Sequence, residues 1–151
     1  VVKFSNFKCD TTDESKFRIN LCRLRAVNRY RIDLNYNATL LIDHKTLFVH
    51  AQAFKKENGY KPWLFNTTVD VCKFFRKPYD PFFIIIFRSF KDHTNFNHTC
   101  PFKGDHIVNN IHLTYATLAL PVPSGDYLIN MNWYYDGELL CLQKFYFWVQ
   151  E

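Results

Sequence analysis

The residues of this chain that could do chemistry are its cysteines, its glycosylation-type asparagines and its histidines. Five cysteines, at positions 9, 22, 72, 100 and 141, share the sequence with three Asn-x-Thr sequons: Asn37-Ala38-Thr39, Asn66-Thr67-Thr68 and Asn97-His98-Thr99. Together they point to the secretory route, where thiols oxidise in pairs and sequon amides accept glycans. The odd count leaves one cysteine over, and spacing alone does not fix which ones pair. His93, His98, His106 and His112 are clustered in sequence but lack the tight spacing or companion carboxylate of a zinc site. They are read as surface or turn histidines, with no metal and no other cofactor. No nucleophile elbow, metalloprotease helix, phosphate loop or nucleotide fingerprint occurs. Oxidised cysteines would serve no thiol catalysis, so the chain is not expected to be an enzyme.

The elements that carry these residues read as extended chain. From Cys22 to Leu40 the even positions include Cys22, Leu24, Tyr30, Ile32, Leu34, Tyr36 and Leu40, and the odd positions include Arg23, Arg25, Arg29, Arg31, Asp33 and Asn37. A period of two predicts strands with one buried face, either two strands or one long bent strand. Asn37 falls on the outward set. Trp63, Phe65, Thr67, Val69 and Val71 form a second inward set, which leaves Asn66 outward as well. Further strand candidates are Leu47–Phe54, Ile107–Leu113, Thr114–Leu120, Tyr127–Trp133 and Leu140–Val149. Asn58-Gly59 and Asp136-Gly137 are hairpin-type turn pairs between them. Many short strands with regular turns predict an all-β sandwich.

One segment departs from this pattern. Asp80-Pro81 reads as a helix N-cap followed by proline at the first helical position. On a helix, Phe83, Ile86, Phe87 and Phe90 would share a face; a fully buried strand is the alternative for so short a run. The longest apolar stretch, Phe82 to Phe87, is far too short to span a bilayer. No repeat or linker interrupts the 151 residues, so one domain, 1–151, is expected. The chain opens at Val1 rather than methionine, as the product of signal cleavage would.

Aromatic residues make up 19% of the chain, which calls for a large interior or a greasy surface and does not read as a disordered chain. The net charge of +5 is concentrated in part on the Arg23, Arg25, Arg29 and Arg31 stripe. That stripe suits an acidic headgroup, an acidic partner surface or plain solvation of a strand face. Nothing aligns with a nucleic-acid-binding motif, so nucleic acid is excluded as a partner.

Several stretches taken together resemble one family: Cys22-Arg23-Leu24-Arg25-Ala26-Val27-Asn28-Arg29, Asn58-Gly59-Tyr60-Lys61-Pro62-Trp63-Leu64-Phe65-Asn66, Val69-Asp70-Val71-Cys72-Lys73-Phe74, Asn97-His98-Thr99-Cys100-Pro101-Phe102, and Leu120-Pro121-Val122-Pro123-Ser124-Gly125-Asp126-Tyr127. This order of motifs resembles the insect family of small secreted proteins that includes the CheB chemosensory proteins. The resemblance implies the ML lipid-recognition fold, the immunoglobulin-like sandwich of the Niemann-Pick type C cholesterol carrier and the GM2 activator. The expected fold is therefore an all-β, immunoglobulin-like two-sheet β-sandwich of ML type, with a short helical segment near residues 80–91. The resemblance also bears on the disulfides: Cys9 with Cys22, which enclose a short N-terminal loop, and Cys72 with Cys100. Cys141 matches no motif of that family, and is either a buried apolar cysteine or the site of an intermolecular bond.

Binding of a hydrophobic small molecule or lipid is what the resemblance implies, in chemosensation. The pattern of inward residues nominates the wall: Tyr30, Ile32, Leu34 and Tyr36; Trp63, Phe65 and Val69; and Ile129, Met131 and Trp133. Phe83, Ile86, Phe87 and Phe90 would be a lid or mouth. The same residues would equally build a filled core. The alternative function is then a secreted interaction module that docks on a membrane receptor or ion channel without a ligand. An accessory role, lifting lipid for a hydrolase, is a third reading. A void of several hundred Å³ between the sheets would mark the carrier, and a dry close-packed interior the module.

Overall fold

The computed structural model describes residues 1–118 and 121–151. Along the chain run β1 (Val2–Thr11), β2 (Phe17–Asn28), β3 (Arg31–Leu40), β4 (Leu47–Glu57), β5 (Gly59–Asp70), α1 (Val71–Arg76), α2 (Pro81–Phe90), β6 (Gly104–Ile111), α3 (Tyr115–Leu118), β7 (Gly125–Tyr135) and β8 (Glu138–Val149). The order β1-β8-β7-β4-β5 makes one sheet and β2-β3-β6 a second. Every pairing is antiparallel. The chain is an all-β, two-sheet antiparallel sandwich with a short helical insertion. No helix of the described residues is long and apolar enough to cross a membrane.

Local chemistry sets the element boundaries. Asp136 and Gly137 both have positive φ, 48° and 80°, which is the mirror-image turn whose twist suits a two-residue hairpin. This turn pairs Tyr135 with Glu138 and fixes the register of β7 on β8. The Asp80 carboxylate accepts hydrogen bonds from the backbone N–H groups of Phe82 and Phe83 at 3.0 and 2.9 Å, with Pro81 in the first turn of α2. Asp70 caps α1 in the same way through the Lys73 N–H, so the inward strand set of β5 ends at Val69, and Val71 is buried as a helical residue.

Two sequence expectations change here. Thr114–Leu120 was expected as a strand. Instead Thr114 and Thr117 close a turn on each other through side-chain and backbone bonds, and α3 starts at Tyr115. The last two positions of that expected strand, Ala119 and Leu120, lie outside the described residues. The segment from Cys9 to Cys22 is not merely a loop, because it includes the end of β1 and the start of β2. The Cys9–Cys22 disulfide therefore ties the two sheets together. The Cys72–Cys100 disulfide ties α1 to the segment that follows α2.

Bulges aim the inner faces. The pairing of β1 shifts between Phe4 and Asn6, so Val2 and Phe4, then Phe7, turn inward. On β3, Leu34, Tyr36, Ala38 and Leu40 are all buried. The second sheet is narrower than the first, and β1 is the strand of the wide sheet that meets β2 and β3. The helices roof what remains. Phe82 stacks on Phe65 of β5 (4.9 Å between ring centroids), Phe83 meets Phe74 of α1 edge-on (4.7 Å) and Phe90 meets Phe145 of β8 (5.9 Å).

Candidate functional site

Beneath α2, between the sheets, lies a cavity of about 90 Å³. The wide sheet supplies Met131, Trp133 and Tyr135 from β7 and Cys141, Gln143 and Phe145 from β8. The narrow sheet supplies Leu34 and Tyr36 from β3 and His106, Ile107 and Val108 from β6. Phe83, Ile86, Phe87 and Phe90 of α2 close it, with Phe7, Phe17, Thr94 and Phe96 at its margins. A second cavity of about 60 Å³ is lined by Trp63, Phe65, Phe82, Ile85, Leu128 and Ile129 among others. Ile86 lines both and stands between them. Each is smaller than the several hundred Å³ expected of a preformed carrier, and neither matches a fully packed core.

The wall of the larger cavity is carbon except at a few tethered polar groups. Trp133 Nε1 donates to Gln143 Oε1 at 2.7 Å. The Tyr36 hydroxyl lies 3.5 Å from Cys141 Sγ. The His106 ring nitrogen Nε2 and the Tyr135 hydroxyl are 3.1 Å apart. Burial sets the protonation of the thiol, the imidazole and the two phenols. It pushes the Cys141 thiol up to about 12 and lowers His106 to about 4, so near neutral pH the thiol is protonated and the imidazole uncharged. Both tyrosines are raised well above the ordinary phenol value, first by burial. His44, whose Nε2 accepts the Phe102 N–H at 3.2 Å, is also lowered by burial. Among the described residues, the Cys141 thiol faces the Tyr36 hydroxyl and the His106 imidazole faces the Tyr135 hydroxyl.

The residues nominated from sequence divide into three groups. Leu34, Tyr36, Met131 and Trp133, with Phe83, Ile86, Phe87 and Phe90, stand on the larger cavity. Trp63, Phe65 and Ile129 stand on the smaller one. Val69 is fully buried in the core and Ile32 is half-buried against it, and neither lines a cavity. Tyr30 is a correction: it is 67% exposed in the turn between β2 and β3, with the Arg29 guanidinium over its ring at 5.8 Å. The inward alternation stops at the end of each strand, and Tyr30 belongs to neither. Arg31 also leaves the free basic stripe, because it pairs with Asp33 at 2.7 Å, while Arg23, Arg25 and Arg29 are exposed. His106 is buried rather than on the surface. Gln143 was not nominated, yet a signal existed: Cys141, Gln143, Phe145, Phe147 and Val149 share one parity of β8, and only Gln143 among them carries a strong polar group.

Asn66 and Asn97 are exposed and Asn37 is half-buried on β3. Asn37 Oδ1 accepts from Asn20 Nδ2 at 3.1 Å, and Asn66 Oδ1 meets the His50 ring. Among the described residues no hydrogen bond engages the amide nitrogen of any of the three.

A family model described as "Protein of unknown function (DUF1091)" matches residues 49–129, a span from β4 to β7. No curated protein matches the chain. Among solved structures, a Niemann-Pick type C2 protein from Japanese carpenter ant is similar at 19% identity, over 97% of this chain and 91% of that one, with a TM-score of 0.32.

Proposed function

We propose that this protein, which belongs to the DUF1091 family of proteins of unknown function, binds a hydrophobic small molecule or lipid between its two sheets and carries or presents it. One observation carries this reading: the space between the sheets is an apolar cavity roofed by a helix. At about 24 cal/mol per Å³, leaving 90 Å³ unfilled forgoes roughly 2 kcal/mol of packing, a substantial share of a domain's net stability. An apolar guest that fills the space recovers that packing and gains about 0.8 kcal/mol per buried methylene. A guest longer than the cavity enters by displacing Ile86 toward the second cavity. The two disulfides and three accessible sequons support a secreted glycoprotein with glycans on Asn37, Asn66 and Asn97. The motif resemblance to the CheB proteins extends the proposal to the ML lipid-recognition fold and a chemosensory setting.

Quenching tests the binding site. Trp133 lines the larger cavity and Trp63 the smaller, whereas Trp148 lies against Lys3, whose ammonium is 5.3 Å from its ring. A brominated alkane should quench Trp133 fluorescence saturably, and Val108→Trp, which fills the cavity from β6, should abolish the uptake. Quenching that follows simple collisional behaviour in both proteins would refute the reading.

The modest volumes favour a second reading, a module that docks on a receptor or ion channel with its core filled. Cavities of about 90 and 60 Å³ fall below the roughly 300–1,000 Å³ of established ligand sites. Under that reading no apolar probe binds, and partner binding survives Val108→Trp.

A further inference from the structure

Gln143 is the one side-chain amide among the described residues lining the larger cavity, and it is 8% exposed. An indole N–H can only donate, so the 2.7 Å contact from Trp133 Nε1 fixes the Gln143 carbonyl toward Trp133 and turns its NH2 the other way. That NH2 faces Tyr36, whose hydroxyl is lowered in acidity by burial and touched by the Gln143 side chain. Among the described residues the Gln143 NH2 makes no hydrogen bond that meets ordinary distance and angle limits, and the Tyr36 hydroxyl has only the soft Cys141 sulfur at 3.5 Å. The Tyr36 oxygen can take one hydrogen of that NH2, which leaves the second amide hydrogen and the phenol hydrogen, met only by sulfur, as two donors on the cavity wall without a strong acceptor of their own. The other polar groups are occupied: Thr94 Oγ1 donates to the Ile107 carbonyl at 2.7 Å, and His106 and Tyr135 satisfy each other. No Lys, Arg, Asp or Glu lines the cavity among the described residues. A buried carboxylate or ammonium would find no counter-charge there, which a low-dielectric site penalises heavily.

We infer that the cavity receives a neutral, largely hydrocarbon molecule bearing one oxygen acceptor — an ester, ketone, aldehyde or alcohol — whose oxygen is met by the Gln143 NH2 and the Tyr36 hydroxyl. The inference rests on the cavity being a ligand site. It selects against free fatty acids and amines, and it ranks an oxygenated chain above the bare alkane because only the former offers an oxygen to the remaining amide hydrogen and to the phenol hydrogen held by sulfur.

The probes are methyl hexanoate, octane and hexanoate, titrated against the intact protein at neutral pH. Methyl hexanoate should bind about three- to tenfold more tightly than octane, the effect of one neutral hydrogen bond. It should exceed hexanoate by at least about tenfold. Gln143→Met, which keeps length and removes the NH2, should bring the ester and the alkane to equal affinity. The ratio is the readout, so a general loss of stability in the variant does not mimic the result. An infrared measurement on the unaltered protein stands independently of any variant: the carbonyl stretch of bound methyl hexanoate should lie below its position in hydrocarbon solvent. Equal binding of ester and alkane, preference for hexanoate, or an unshifted carbonyl stretch would overturn the inference and leave a cavity that binds by apolar contact alone. Failure of all three probes to bind would overturn the ligand site itself.

Discussion

His106 offers a test of the buried polar wall that needs no ligand. Its ring is 7% exposed, bonded to Tyr135, and packed against Phe17, Phe96 and Phe102. Burial lowers it from 6.5 to about 4. In the unfolded chain the same imidazole protonates near 6.5. At pH 7 both states are neutral and the group is silent. As pH falls below 6.5 the unfolded state takes up a proton that the folded state refuses, so stability is lost progressively down to about pH 4. The interval corresponds to about 3 kcal/mol, at 1.36 kcal/mol per unit. For a chain of this size that is a fall of roughly 6–12 °C in melting temperature. His44 titrates in the same sense, so the wild-type slope contains both groups. His106→Phe isolates one of them. Denaturant unfolding at a series of pH values should show the gap between variant and wild type narrowing, or reversing, by about 3 kcal/mol from pH 7 to pH 4. Parallel curves over that range, or an NMR titration of His106 near 6.5 in the folded protein, would refute the assigned burial.

Three other outcomes follow from the same coordinates. Asp80→Ala removes the acceptor of two helix-terminal N–H groups and of the Thr67 hydroxyl at 2.8 Å, and should cost about 1–2 kcal/mol by denaturant midpoint, with Asp80→Asn restoring most of it. Cys141 is 1% exposed with its thiol pushed up to about 12, so the folded protein should give no reaction with a thiol reagent at pH 8, and one thiol per chain once unfolded. Ile86→Ala should join the two cavities, costing roughly 2 kcal/mol of stability while raising affinity for a long-chain ester relative to a short one, as titration calorimetry of the two esters would read.

How far the sequence could be read depended on where a simple period held. The alternation from Cys22 to Leu40 was legible because the register shift between Ala26 and Asn28 offsets the two-residue turn that sets Asn28 opposite Arg31, so even positions face even ones, Leu24 with Leu34 and Cys22 with Tyr36. The same property misled: parity carried Tyr30 into the inward set although it sits in the turn. β1 was not legible, because its bulge after Phe4 breaks the period within a single strand. The α2 face was legible, since Asp80-Pro81 announced its start and Phe83, Ile86, Phe87 and Phe90 then follow helical spacing to the cavity. α1 was hidden, because the inward set of β5 ran through Val69 to Val71 without a visible stop. Most of the β6 wall was out of reach: the strand starts at Gly104 rather than Ile107, and His106 faces inward only because β6 pairs with β3 at Ala38. That contact joins residues far apart in sequence, and no local pattern encodes it.

The most direct measurement is a native mass spectrum of the protein purified from a lipid-containing host, beside that of Val108→Trp. The account predicts an adduct of one apolar molecule per chain on the unaltered protein, neutral and oxygenated when extracted, and only bare mass on the variant. Bare mass on both, with no adduct after incubation with methyl hexanoate, would contradict a ligand site between the sheets.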